Sequence, residues 1–507
     1  MWLGIHNPVH TIFFYELPLT KSHFTLNIVP NLKHSLSITL QHFFPFVGKL
    51  TIFPTSSTIP EIRYAEGDSV TVTFAECNLD FNDLIGNHIR DCDKFYHLIP
   101  ILRPTTKGLG CIMIPVFSVQ VTLFPNSGIS IGLTYHHCLG DASTMHCFLK
   151  AWSSIAVSGS DKSFIANGTL PIYDRLIKYP KLDENGVKYA NVHTFNEEYQ
   201  LTRLSGPSDK VRATFILTRA MINGLKKLVS TQLPTLAYVS SFTVACAYIW
   251  RCVAKVYDEK ATAFSFVIDC RSRLDPPVPA AYFGNCLMPC MSFPTTTILK
   301  QEKEGFLTAA KLIGENLYKT LTDTDGIAKD IVPVQNSFPD GLPMKWTGVA
   351  GTTTLQFYDL DFGFGKPRKI EVISIDYNDS ISIYACGEHK EDLEIGVCLT
   401  VNEMDVFVRN FNSGLQSYIR IHICILLREN IASIPEPSFL PINFRPIMLP
   451  LPSSFSDFHL AMMFGGSDGA GWRRCRRCLL LHVGNPRFRK FVCGCHVDYV
   501  ASASTYL

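Results

Sequence analysis

The hydrophobic pattern changes period along the chain, and each change marks a predicted element. Phe117, Val119, Val121 and Leu123 alternate with Ser118, Gln120 and Thr122, the pattern of a strand with one buried face. Pro125-Asn126-Ser127-Gly128 signals a turn. Ile129, Ile131, Leu133 and Tyr135 then alternate again, so a second strand ends at His136 and His137. Beyond Gly140 the period lengthens, and Met145, Phe148, Leu149 and Trp152 fall on one helical face. A strand, short loop and helix in this order place loop side chains at a rim, where ligands meet an α/β framework.

The rest of the chain divides in the same way. Leu32, Leu36 and Leu40 predict a helix over 31–44, which Pro45 stops. Strand-like segments lie at 61–64 and 70–74. Residues 170–208 hold little periodicity and read as a crossover between two domains. Beyond it come a strand (212–217), a helix (220–229), a strongly apolar helix (238–256) and a strand (263–269). An amphipathic helix (304–321) and strands at 370–375, 381–385 and 393–399 follow. Asn402 is the expected N-cap of a last helix carrying Met404, Phe407, Val408 and Phe411, with Asp405 completing a box-like cap. The division expected is an N-terminal domain over 1–190, a linker over 191–209, a C-terminal domain over 210–415 and a disordered tail over 416–507. In that tail six prolines fall between Pro435 and Pro452, followed by Gly-rich sequence and an arginine cluster at 473–477.

The 507 residues, 47% hydrophobic and 18% charged, suit a globular protein with a large core. A net charge of +2 implies no general attraction to nucleic acid or to a membrane surface. Seventeen scattered cysteines read as reduced thiols of a cytoplasmic protein. Met1-Trp2-Leu3-Gly4-Ile5-His6 lacks the features of a signal peptide, and the longest apolar run, 421–427, is too short for a membrane span. In the tail, Cys475-x2-Cys478 and Cys493-x-Cys495-His496 are metal-ligand types, but their spacing fits no common finger. No metal is expected there.

His137 and Asp141 are the candidate chemistry. An imidazole titrates near neutrality and can act as a base if its orientation is fixed. Asp141, four residues on, is placed to brace the loop, directly or through an arginine. A packed histidine beside a helix-capping aspartate has the same spacing.

A second run, Tyr358-Asp359-Leu360-Asp361-Phe362-Gly363-Phe364-Gly365, changes the balance. With His137-x3-Asp141 it resembles the paired signatures of the plant BAHD acyl-CoA-dependent acyltransferases, with Phe364 where that family has tryptophan. Tyr282-Phe283-Gly284-Asn285-Cys286 resembles the mark of the branch acting on anthocyanins and other phenolic glucosides. Order and spacing fit over residues 10–415. A kinase reading of Asp361-Phe362-Gly363 fails, because neither a Gly-rich phosphate loop nor a His-Arg-Asp loop precedes it.

The resemblance implies two similar chloramphenicol acetyltransferase-like α/β domains, each a mixed sheet flanked by helices, with a channel between them. It implies transfer of a malonyl or hydroxycinnamoyl group from acyl-CoA to a sugar hydroxyl, with His137 as general base. Asp141 takes a structural role, paired with Arg271 or, second, Arg273. Asp361, Gly363 and Gly365 become architectural elements near the coenzyme A channel, and His136 a packed neighbour. Lys255 either meets the coenzyme A phosphates or is an exposed helix lysine. Acyl-CoA is a co-substrate rather than a bound cofactor, the other partner is a phenolic glycoside, and a monomer is expected. An amine acceptor and a non-catalytic remnant are the alternatives. The run His42–Leu50 resembles the family's segment leading into its next strand; the family carries a few tens of residues before it, including a strand, and this chain is short there, so an N-terminally truncated first domain with an exposed sheet edge is expected.

Overall fold

The computed structural model describes residues 8–415 except 55–59, 109, 167–169, 175–207, 260, 275, 294–295, 302 and 323–343. Beyond 415 it describes the strand residues 447–448, 458–463, 478–483 and 489–493. The chain forms two compact units, Met1–Ile425 and Leu426–Leu507.

The first unit is built on two large sheets. One has five strands in the order Lys369–Val372, Pro8–Glu16, Gly128–His136, Phe117–Phe124 and Thr71–Glu76. All its neighbours are antiparallel except the last pair. The expected hairpin is its centre, and the turn at Asn126 has the positive φ that asparagine tolerates. No exposed edge adjoins Phe13–Tyr15. Pro8–Glu16 is itself a strand, hydrogen-bonded on both sides. Its Phe13 and Tyr15 enter one apolar cluster and its Ile12 and Phe14 another. Its run Ile12–Tyr15 is apolar on both faces, so no alternation marks it in the sequence. Phe117–Phe124 and Gly128–His136, expected to bury one face, are buried at every position.

The other sheet is mixed and has seven strands, in the order Leu287–Ser292, Ala261–Asp269, Met344–Ala350, Ser380–Ala385, Leu393–Thr400, Lys210–Leu217 and Arg90–Asp91. Its core includes helix Ser241–Ala254, in which twelve of fourteen residues are buried. Helices Arg219–Gln232 and Lys303–Thr322 pack against the same cluster. The two halves of the unit interlock: the first sheet borrows Lys369–Val372 from the second half, and the second sheet borrows Arg90–Asp91 from the first.

Charge accompanies the exchange. Glu371, on the borrowed strand, receives Arg90 at 2.7 Å and Arg212 at 3.0 Å, and Arg212 also reaches Asp376 at 3.2 Å. All four side chains are buried. Both guanidinium groups lie over the Phe95 ring.

Several local expectations shift. The strand expected over 370–375 ends at Val372 and turns into a 3-10 segment, Ile373–Asp376. The last helix runs 401–415 and is capped by Thr400 rather than Asn402. Glu403 accepts from both the Thr400 amide (2.9 Å) and hydroxyl (2.8 Å), so the box is Thr400–Glu403. Most of the crossover lies outside the described residues. Within the tail expected to be disordered, Ile447–Met448, Phe458–Met463, Cys478–Val483 and Arg489–Cys493 form an antiparallel sheet. Proline density around residue 440 masked these β-prone runs. Cys475, Cys495 and His496 lie outside the described residues. Among the described residues, no helix is long and apolar enough to cross a membrane.

Candidate active site

The strand Gly128–His136 ends where its sheet ends, and the chain then makes one 3-10 turn, His137–Leu139. Gly140 follows with extended backbone, and a Cβ there would sit 2.6 Å from the Thr144 side chain. Only glycine lets the loop lie this close to the helix it enters. Asp141 is the N-cap of helix Ala142–Ser158, with its Oδ1 accepting from the Thr144 amide at 3.1 Å. The capping role weighed for this aspartate is therefore real. So is the pairing with an arginine.

Arg271 meets Asp141 through two parallel bonds, Nη1 to Oδ2 at 2.8 Å and Nη2 to Oδ1 at 3.0 Å. Both residues are buried, at 4% and 1% exposure. Bidentate geometry of this kind fixes orientation as well as charge. Arg271 also donates to the Gly284 carbonyl (2.8 Å), the Tyr282 carbonyl (3.2 Å) and Asp269 Oδ2 (3.1 Å). Arg273, the second candidate, is exposed and donates to the Asp269 carbonyl instead.

The run Tyr282–Cys286 closes around this pair. The Cys286 amide donates to Asp141 Oδ2 at 3.0 Å. Thr144 Oγ1 donates to the Gly284 carbonyl (3.0 Å) and accepts from its amide (3.1 Å). Asn285 Nδ2 donates to the His137 carbonyl at 2.9 Å. The stretch Tyr282–Cys286, expected to be structural and to mark a branch, thus holds the backbone of the histidine loop. Asp269, Thr144 and Asn285 were not singled out in the sequence; the signal for Asn285 was its place inside that run.

His137 itself is half-buried. Burial lowers its pKa below the ordinary 6.5, and its own backbone carbonyl, Asp141 and Asn285 act in the opposite sense. His136 is fully buried, and its Nδ1 accepts from the Cys138 amide at 3.3 Å, as fits a packed neighbour. Geometrically, the loop presents one imidazole, kept neutral, on a backbone gripped from three sides.

In the Asp361–Gly365 run, two glycines around a bulky aromatic suggest a sharp bend with close backbone approach, and the structure shows the bend without the close approach. Asp361 Oδ1 accepts from the amides of Gly363 (2.8 Å) and Gly365 (2.9 Å). Both glycines have φ near 95°, a left-handed region that side chains avoid. A Cβ on Gly365 would touch nothing within 4 Å, so conformation rather than close backbone approach demands these glycines. Phe362 packs edge-on against Trp152 (4.9 Å between ring centroids), and Phe364 against Tyr15 (5.0 Å). The Tyr15 hydroxyl donates to the Leu360 carbonyl at 3.1 Å. The run therefore clamps the strand Pro8–Glu16 to the helix that Asp141 caps. Lys255 is the C-cap of helix Ser241–Ala254 and is half-buried rather than exposed.

Comparison with known proteins identifies the family. The Transferase family pattern matches residues 3–413. A malonyl-coenzyme A:anthocyanin 3-O-glucoside-6''-O-malonyltransferase of Dahlia pinnata is 50% identical over 82% of this chain and 92% of its own length. Phenolic glucoside malonyltransferase 1 of Nicotiana tabacum is 40% identical over 76% and 85%. A coumaroyl-CoA:anthocyanidin 3-O-glucoside-6''-O-coumaroyltransferase of Arabidopsis thaliana is 33% identical over 80% and 90%. In fold the chain is similar to vinorine synthase, with TM-score 0.56 and 19% identity over 79% of this chain and 88% of that one. It is also similar to F. graminearum TRI101 complexed with coenzyme A and T-2 mycotoxin, with TM-score 0.54 and 14% identity over 80% and 94%. With its two interlocked mixed sheets, its histidine loop and its matched length, the chain belongs to the Transferase (BAHD) family of acyl-CoA-dependent acyltransferases.

Proposed function

We propose that this protein moves a malonyl group from malonyl-CoA to the sugar 6-hydroxyl of an anthocyanin or other phenolic glucoside, with His137 as the base. The observation that carries the reading is the 50% identity to the Dahlia malonyltransferase over nearly all of that protein's length. A thioester is already activated, so a nucleophilic oxygen is what the reaction needs. His137, neutral in its buried setting, accepts the hydroxyl proton as the sugar oxygen attacks the thioester carbonyl. The tetrahedral intermediate then collapses, the C–S bond breaks, and the departing thiolate takes the proton from the imidazolium. The acyl group has passed from sulfur to oxygen, and the histidine is neutral again. Holding both substrates in one site supplies much of the remaining acceleration.

Asp141 and Arg271 orient the loop in this scheme and transfer no proton. Asp361, Gly363 and Gly365 keep the sheet and helix beside it in register. We assign Lys255 and Arg273 no contact with either substrate. We also propose that the protein is a cytoplasmic monomer.

The test is thiol release from a panel of acyl-CoAs with cyanidin 3-glucoside. Malonyl-CoA is expected to give the largest kcat/KM and a product heavier by one malonyl group. A preference for coumaroyl-CoA, the donor named for the 33% identical Arabidopsis relative, would overturn the donor assignment. Transfer to amines but to no glucoside would overturn the acceptor. No turnover with any donor would mark a non-catalytic remnant.

A further inference from the structure

Beside the exchanged strand Arg90–Asp91, two thiols from opposite halves of the first unit meet. Cys92 Sγ lies 3.4 Å from Cys398 Sγ, although 306 residues separate them in the chain. Cys92 is fully buried and Cys398 half-buried. The backbone holds them there from both sides. The Cys92 amide donates to the Lys210 carbonyl at 3.2 Å, and Cys398 stands opposite Arg212 in the neighbouring strand register. Asp91, Lys210 and Thr400, which flank the pair in sequence or register, line a cleft of about 250 Å³ that opens to solvent.

We propose that Cys92 and Cys398 form a reversible disulfide that staples the two halves together when the protein meets a low-molecular-weight disulfide. Cys398, the more accessible sulfur, attacks one sulfur of the small disulfide and expels the first small thiolate. Cys92 then attacks Cys398 in the mixed disulfide and expels the second. Two protein thiols are oxidised, one small disulfide is reduced to two thiols, and the two cysteine protons go to the departing thiolates. The hydrogen bond to Cys92 and burial raise the Cys398 thiol above its ordinary pKa, so the exchange is slow at neutral pH.

The same pair sits with Asp376, the three ligand atoms within 4.8 Å of one another, a grouping that could also hold a metal ion. The charges argue for the disulfide instead. Asp376 is already paired with Arg212 at 3.2 Å, and a divalent cation would meet that guanidinium at close range. A disulfide adds no charge.

The experiment uses the intact chain, incubated with excess oxidised glutathione or with dithiothreitol, then alkylated and mapped by mass spectrometry. A cross-linked peptide pair containing Cys92 and Cys398 is expected, with the loss of two alkylatable thiols. The Tm of the oxidised protein should rise several degrees above that of the reduced protein, because the closed loop is long. Cys398→Ser should lose the cross-link and the Tm rise while keeping the acyltransferase activity of the reduced wild type. Two results overturn the proposal. One is a pair that stays unlinked in wild type, whether as free thiols or as a glutathione adduct on Cys398. The other is uptake of one zinc(II) per chain that shields both thiols from alkylation while oxidised glutathione fails to link them. Neither readout depends on which substrate the enzyme uses.

Discussion

An imidazole accepts a proton only while it is neutral, and burial is what keeps His137 neutral. The rate is expected to fall on the acid side with a midpoint below pH 6.5, measured as kcat/KM against pH. A midpoint above 6.5 would mean that the proton is held elsewhere. Stability carries the same signature. Because the folded pKa of His137 lies below its unfolded value, the unfolded chain binds more protons, and stability declines as pH drops through about 6.5. His137→Ala should lower turnover by about a hundredfold or more with the fold intact, as circular dichroism would verify. The partner pair is read by a double-mutant cycle. Asp141→Asn leaves Arg271 short of its main counter-charge and should cost about 3 kcal/mol in denaturant unfolding, with activity lost alongside. Arg271→Ala should resemble it, and the double variant should cost much less than the sum, since one interaction is lost twice. Strict additivity would reject the pairing as the source of either loss.

Elements explain why the motifs sit so far apart in sequence yet act on one loop. Trp152 lies on the helix capped by Asp141, and Phe362 packs against it. Gly363→Ala would force a side chain into left-handed backbone and should cost about 1–2 kcal/mol by thermal unfolding. Activity should follow stability rather than fall independently, because no substrate role is assigned to this run. Much of this was legible beforehand. The helix Ala142–Ser158 showed itself because it buries one face, and the hairpin Phe117–His136 because apolar and small polar side chains alternate along both strands, although every residue of the two is buried. Pro8–Glu16 and Met344–Ala350 left no such mark: the first is apolar on both faces, and the second pairs in parallel with Ala261–Asp269. His137, Asp141 and Arg271 were legible because the chemistry limits the residue types. Asn285 and Thr144 were not, because amide and hydroxyl groups serve countless backbone contacts and gain meaning only once the chain is folded.

At the scale of the whole molecule, the Arg90–Glu371–Arg212 cluster joins two halves that sequence alone divides near residue 200. Burial alone would raise the Glu371 carboxyl, but Arg90 and Arg212 outweigh it and hold the group at about 2. Its contribution is present above the ordinary value of 4.5 and is lost as pH falls from there towards 2. Glu371→Ala should cost about 3–5 kcal/mol at neutral pH, and its denaturation curve should lose part of the acid sensitivity of the wild type. The second unit, Leu426–Leu507, invites a different test. Its composition favours a segment that contributes nothing to acyl transfer, so truncation after residue 415 is expected to leave activity and a compact fragment. Unfolding of that fragment, or destabilisation of the intact chain by a chelator, would make the second unit structural.

The borrowed strand Lys369–Val372 also bears on how the protein is made. While the chain emerges from a ribosome, Pro8–Glu16 is made some 350 residues before its outer partner. For that whole interval the nascent protein carries an apolar strand with at least one unpaired side, the kind of surface that recruits chaperones or seeds aggregation. Synthesis that stops early, as from a message cut before the codon for Lys369, would yield no smaller enzyme, only a chain lacking the edge strand of one sheet and two inner strands of the other.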